Sequence, residues 1–210
     1  MFFVAPVEKT LSWVEHSHLK STYLPVGLES RIDEKILTLG PSGDYQAEIT
    51  QRVGKVDWAG ELLPSTQETV TERFRVGAGG DVLEAKFGGN DSGWGARVLE
   101  LEEVAVPYKI LTKGQTWSHD FTANGQIGTV AAHGEYAVED EEERDNAPAF
   151  KISIKVKETQ GASPASSEGT VWLRKSDGVC LGFELTLHNA AVPGMPGLGD
   201  GPVSRELFSG

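Results

Sequence analysis

One cysteine, Cys180, is all that this 210-residue chain carries. A lone thiol excludes an intrachain disulfide framework and any cysteine-rich zinc site. Its place in a strand-like run reads as a buried, inert side chain and not as a nucleophile. Long apolar runs are missing too, and no stretch approaches the roughly 18 residues that a membrane-spanning helix needs. The opening Met1-Phe2-Phe3-Val4-Ala5-Pro6 is apolar, but it lacks a basic start and is too short for the core of a signal peptide. Two placements stay open: the cytosol, or a periplasmic or cell-envelope location for a mature form that has lost its leader. Basic residues are the minority, with 19 Lys and Arg against 31 Asp and Glu and a net charge of −12. That balance opposes phosphate backbones and anionic membrane surfaces, so nucleic acid is not an expected partner.

Catalytic signatures are absent as well. There is no Gly-x-Ser-x-Gly elbow and no phosphate-binding loop, and Gly77-Ala78-Gly79-Gly80 reads as a hairpin turn because no helix follows it. His16 and His18 share one face of a strand at a spacing that permits joint metal ligation. His119, His133 and His188 lie on other strands, however, and no metal or other cofactor is expected. The acids Glu102 and Glu103, or Glu15 and Asp33, suit a general acid–base pair by type, with nothing in the sequence to show that either pair is close or buried.

What the chain does have is a period of two. Phe150, Ile152, Ile154 and Val156 alternate with Lys151, Ser153, Lys155 and Lys157, and Val179, Leu181, Phe183, Leu185 and Leu187 alternate with smaller or polar residues. This is the pattern of strands buried on one face. Leu83, Ala85 and Phe87 are the equivalent in the first half. Further strands are expected near 9–23, 28–39, 44–53, 68–76, 97–104, 115–122 and 126–139, each bounded by Gly, Pro, Asn or Asp. No window of a dozen residues carries a helical stripe, and only 53–65 suggests a single helical turn. The run Glu139 to Asp145 reads as a solvated hairpin tip. The Gly- and Pro-rich segment 190–210 reads as a surface tail that Val192, Met195, Leu198 and Phe208 can clip into a groove.

The two halves repeat. Trp13 recurs as Trp117, Tyr45 as Phe150, Phe74 as Trp172 and Gly80 as Gly178, with one shortened connection between the second and third pairs. The expected fold is therefore all-β, with two tandem lobes at 1–106 and 107–189 followed by the tail 190–210. Trp13 should superpose on Trp117, and Phe74 on Trp172.

Pro107, Lys113-Gly114-Gln115-Thr116-Trp117, the strand Phe150-Lys151-Ile152-Ser153-Ile154, and Gly169-Thr170-Val171-Trp172-Leu173 leading to Gly178-Val179 together resemble bacterial cell-envelope proteins related in shape to the lipoprotein carriers LolA and LolB. The resemblance covers residues 105–188 well and 8–104 loosely. It implies strongly curved antiparallel sheets forming half-open barrels, each with an apolar concave face for an acyl chain or other hydrophobic ligand. The chain differs from those carriers in having two such patterns, no lipid-attachment cysteine at its start and no helix to plug a barrel. Under this reading Ile152, Ile154, Leu181, Phe183 and Leu185 line the concavity, with Ala131, Ala132, Gly134 and Ala137 leaving it room. The function so implied is non-catalytic, extracytoplasmic binding of a lipid or another hydrophobic ligand. Two alternatives remain at this stage: an interaction domain with closed cores, and a small barrel enzyme of cyclase or hydrolase type.

Overall fold

In a computed structural model of the chain, which describes residues 10–21, 25–41, 44–58, 61–64, 69–86, 94–107, 109–191 and 198–207, the alternating runs are strands. The clearest is Ala147–Glu158 (β9), where Phe150, Ile152, Ile154 and Val156 are buried and the lysines between them are not. Thr10–Ser21 (β1), Pro25–Leu39 (β2), Tyr45–Trp58 (β3), Glu61–Pro64 (β4), Val70–Val76 (β5) and Val82–Lys86 (β6) make the first half. Thr116–Phe121 (β7), Ala132–Arg144 (β8), β9, Ser166–Arg174 (β10), Cys180–Ala191 (β11) and Leu198–Leu207 (β12) make the second.

All are antiparallel members of one sheet, in the order β6-β5-β3-β2-β1-β12-β11-β10-β9-β8-β7, with β4 paired to β3 off this path. The separate sheets expected for two lobes are thus one continuous sheet. The cause is β12, which pairs with β1 on one side and β11 on the other and so joins the halves. This strand lies in the segment expected to be a surface tail. Its glycines do not prevent it from pairing, because β1 and β11 each pair with most of its length.

A second departure is the helix Trp94–Glu102 (α1), which replaces the strand expected at 97–104. Ala, Arg, Leu and Glu dominate the segment and all favour helix. At nine residues the helix would be marginal alone, and packing sustains it. Leu101 enters the large core of the second half, while Ala96 and Leu99 pack with Phe74, Val76 and Val82 of the first. The helix therefore lies within the curl of the sheet, on its concave face. Buried polar contacts anchor it: Arg97 donates twice to Glu158 of β9 at 2.7 Å each, Ser167 of β10 donates to the Leu101 carbonyl, and the Val82 amide donates to Glu100.

The helical turn suggested within 53–65 is instead the β3–β4 hairpin, and β8 begins at Ala132, later than expected. The acidic run extends β8 to Arg144, and the turn is Asp145-Asn146, both at positive φ (52° and 58°) as a two-residue hairpin requires. The opening Met1–Pro6, Phe87, Val192, Met195 and Phe208 lie outside the described residues. No helix among those described is long and apolar enough to cross a membrane.

The two ends of the sheet, β6 and β7, share no backbone ladder among the described residues, so the barrel is not closed. They are nevertheless adjacent. Asp81 accepts from the Thr122 amide at 2.8 Å and faces His119 Nε2 at 3.2 Å, and Asn124 donates to the Leu83 carbonyl at 3.1 Å.

One position in β10 requires glycine. Gly169 has φ 154°, a region in which other residues are strained, and an added Cβ would run into the Glu184 carbonyl oxygen of the next strand. Gly169→Ala is expected to cost about 3 kcal/mol or more in chemical denaturation. Gly125→Ala, with nothing within 4 Å, should stay within about 0.5 kcal/mol of the parent. Equal effects at the two sites would refute this role.

Candidate functional site: an apolar cavity with a buried acidic end

Three rungs of inward-facing side chains line the first half of the curl. Ile36, Ala47 and Phe74 stand side by side on β2, β3 and β5; Leu39, Tyr45 and Val76 form the next rung; Leu11, Glu34 and Ile49, on β1, β2 and β3, form a third. Leu99 and Glu102 of α1 face them. Val171, Leu173, Cys180, Phe183 and Arg205 of β10–β12 close the side. Between them lies a cavity of about 280 Å³, near the lower end of the range for small-molecule sites, about 300 Å³.

Phe183 is the one expected ligand-binding residue that lines this cavity. Ile152, Ile154 and Leu185 lie in the packed core of the second half, all 3% exposed or less, with Ile154 also edging a shallow groove beside Trp117. The room expected above Ala132 and Gly134 is filled. Tyr136 folds over Gly134 so closely that a Cβ there would meet its hydroxyl, and Leu101 of α1 occupies the same core. Leu181 faces the other way. A β-bulge puts Trp172 opposite Gly182 and Leu173 opposite Cys180, so the alternation of β11 changes phase. Leu181 then packs with Ala149 and Trp172 on the convex side, while Cys180 turns toward the cavity. The same face change affects the expected equivalence of Phe74 and Trp172, since Phe74 looks inward and Trp172 outward.

The cavity is not apolar throughout. Arg205 of β12 sits opposite Glu15 of β1 and donates to its carboxylate from Nη2 at 2.7 Å and Nε at 3.2 Å. It also reaches Glu102 of α1 at 3.3 Å. Its guanidinium lies 5.0 Å from the centre of the Phe183 ring. Glu34 and Glu103 complete the cluster. Burial pushes Glu103 up to about 8, reinforced by Glu34; burial also lifts Glu102 to about 8, although Arg205 opposes it. Glu34 is raised by burial too. The segment bearing Glu103 is held by Trp117, which stacks on Tyr136 and donates to the Ala105 carbonyl at 2.7 Å. The Tyr136 hydroxyl donates to the Glu103 carbonyl.

Trp13, 2% exposed, also lines the cavity, and its indole N–H has no hydrogen-bond partner. It lies near enough to Glu34 to oppose the rise that burial causes there, without the geometry of a hydrogen bond. Of the acids singled out in the sequence, Glu15, Glu102 and Glu103 meet here. Asp33 does not: it accepts from Ser12 at 2.6 Å. Cys180 is pushed up to about 12 by burial, which leaves it a neutral thiol.

The histidines are dispersed. His119, His133 and His188 each face one aspartate, His16 faces Glu29, and the side chain of His18 lies outside the described residues. Among the described residues no three His, Cys, Asp or Glu side chains are grouped so as to hold a metal ion. Comparison with protein-family models, curated proteins and solved structures returns no match.

Proposed function

We propose that this protein is a non-catalytic binding module for a hydrophobic ligand, held between the curved sheet and α1. The observation that carries the reading is the 280 Å³ cavity between the largely apolar rungs of the first half and α1, left open while the neighbouring core of the second half is filled. The cavity lies against the first half, which the carrier resemblance covers only loosely, so what the proposal takes from that resemblance is the mode of binding alone, an apolar concavity in a half-open barrel. The extracytoplasmic setting is part of the same proposal.

We also read the halves as a duplication. Each is a five-strand meander, β1-β2-β3-β5-β6 and β7-β8-β9-β10-β11, and the hairpins ending them both carry a bulge and a positive-φ glycine, Gly80 at 95° and Gly178 at 71°. In this reading the helix joining the two meanders fills one concavity and leaves the other open.

The test is titration with the neutral fluorescent probe N-phenyl-1-naphthylamine. Saturable binding at one site is expected. Ala47→Phe, which places a ring in the middle rung, should weaken it about tenfold or more, a change of about 1.4 kcal/mol. Ile110→Ser, at a position 76% exposed, should leave it unchanged. Should Ala47→Phe melt early, Val179→Phe offers a second way to fill the space. No saturable binding to the folded parent would refute the proposal.

A further inference from the structure

The acidic end of the cavity is lined by three carboxyl groups, Glu34, Glu102 and Glu103, and one guanidinium, Arg205, that is already shared between Glu102 and, behind it, Glu15. Independently, the buried indole N–H of Trp13 lines the same cavity with no partner. A buried donor left unsatisfied is costly, and it specifies an acceptor. Resting on the binding reading above, we propose that this end of the cavity takes the hydroxyl of a neutral alcohol-bearing amphiphile, its oxygen accepting from Trp13 Nε1 and its proton donated to Glu34.

Head groups of other chemistry meet one half of this arrangement and violate the other. A carboxylate accepts from Trp13 but brings its charge into a buried site where Arg205, the cation among the lining residues, is already engaged by Glu15 and Glu102. An ammonium suits the carboxyl groups but has no lone pair for the indole N–H. An ether accepts and cannot donate. A hydroxyl does both with one atom, and it brings no charge into a buried site. The tail of such a ligand would extend along the apolar rungs toward Phe74 and Val76.

The experiment displaces N-phenyl-1-naphthylamine from the full chain with 1-decanol, decanoate, decylamine and decyl methyl ether, which share a decyl tail. Decanol is expected to displace the probe at about fivefold lower concentration than the other three, the scale of one hydrogen bond. Trp13→Phe should cut that preference to less than about twofold, read as the ratio of displacing concentrations within the variant so that any change in its probe affinity cancels. Glu34→Leu, which removes a buried carboxyl, should do the same and serves if Trp13→Phe folds poorly. Equal or better displacement by decanoate, decylamine or the ether overturns the head-group inference alone, as does a decanol preference that survives both substitutions. Failure of the parent to bind the probe overturns the binding proposal with it.

Discussion

Arg205→Met will lower the stability of the folded chain by about 3–5 kcal/mol at pH 7, read from denaturant unfolding. The guanidinium is 14% exposed, and its partners Glu15 and Glu102 are 15% and 7% exposed, so its loss leaves both carboxyl groups buried without their cation. Each must then hold a proton or remain charged without compensation. The loss also strikes the fold at its joint, since Arg205 lies on the strand that unites the halves and contacts the helix inside them. Removing all three groups together, as Glu15→Leu, Glu102→Leu and Arg205→Met, should recover most of the loss, because a buried polar cluster gains little over apolar side chains of similar size. A single Arg205→Met variant as stable as the parent would show that the cluster is hydrated and contributes nothing.

The second large effect is on pH dependence. Glu100, Glu102 and Glu103 are each pushed up to about 8 by burial, from an ordinary value of 4.5. Between these values the folded chain holds more protons than the unfolded one, so stability declines as pH rises. Their contribution is fully present below about 4.5 and is lost as pH passes through 8. The slope is on the order of 1 kcal/mol per pH unit for each group that titrates. Thermal unfolding at pH 5.5 should therefore occur well above that at pH 8, the reverse of a protein stabilised by ionised carboxylates. Glu103→Gln should flatten the profile. A melting temperature that rises from pH 5.5 to 8 would show that these acids are ionised in the folded chain.

The strand-forming parts of this molecule were legible because burial on one face writes itself as alternation, as in Phe150 to Val156. The helix was not. Val98, Leu99, Leu101 and Val104 give no clear period over so short a stretch, and what holds the helix is a set of partners, Glu158, Ser167 and Arg205, far away in sequence. Alternation misleads where a bulge changes its phase, and it places Leu181 on the wrong face. The candidate site was half visible. Glu15, Glu102 and Glu103 stood out as acids, but their cation lay in a segment whose glycines and prolines suggested a tail. One local signal was there to be read: Glu34 stands at the inward period of β2 between Ile32 and Ile36, a charge where the pattern calls for an apolar side chain.

An open sheet has two strands whose outer backbone groups lack a ladder, and such strands recruit other chains. Here β6 and β7 turn toward each other across a seam too irregular for a ladder yet bridged by Asp81, His119 and Asn124. Each edge shields the other. Outside the seam, β6 exposes Glu84 and Lys86, and β7 exposes Thr116, Ser118 and Asp120, charged and polar groups poorly suited to stacking a second molecule. The curl that creates the cavity thus also brings β6 and β7 together, so that covering these two edges and making room for a ligand are two results of the same bend.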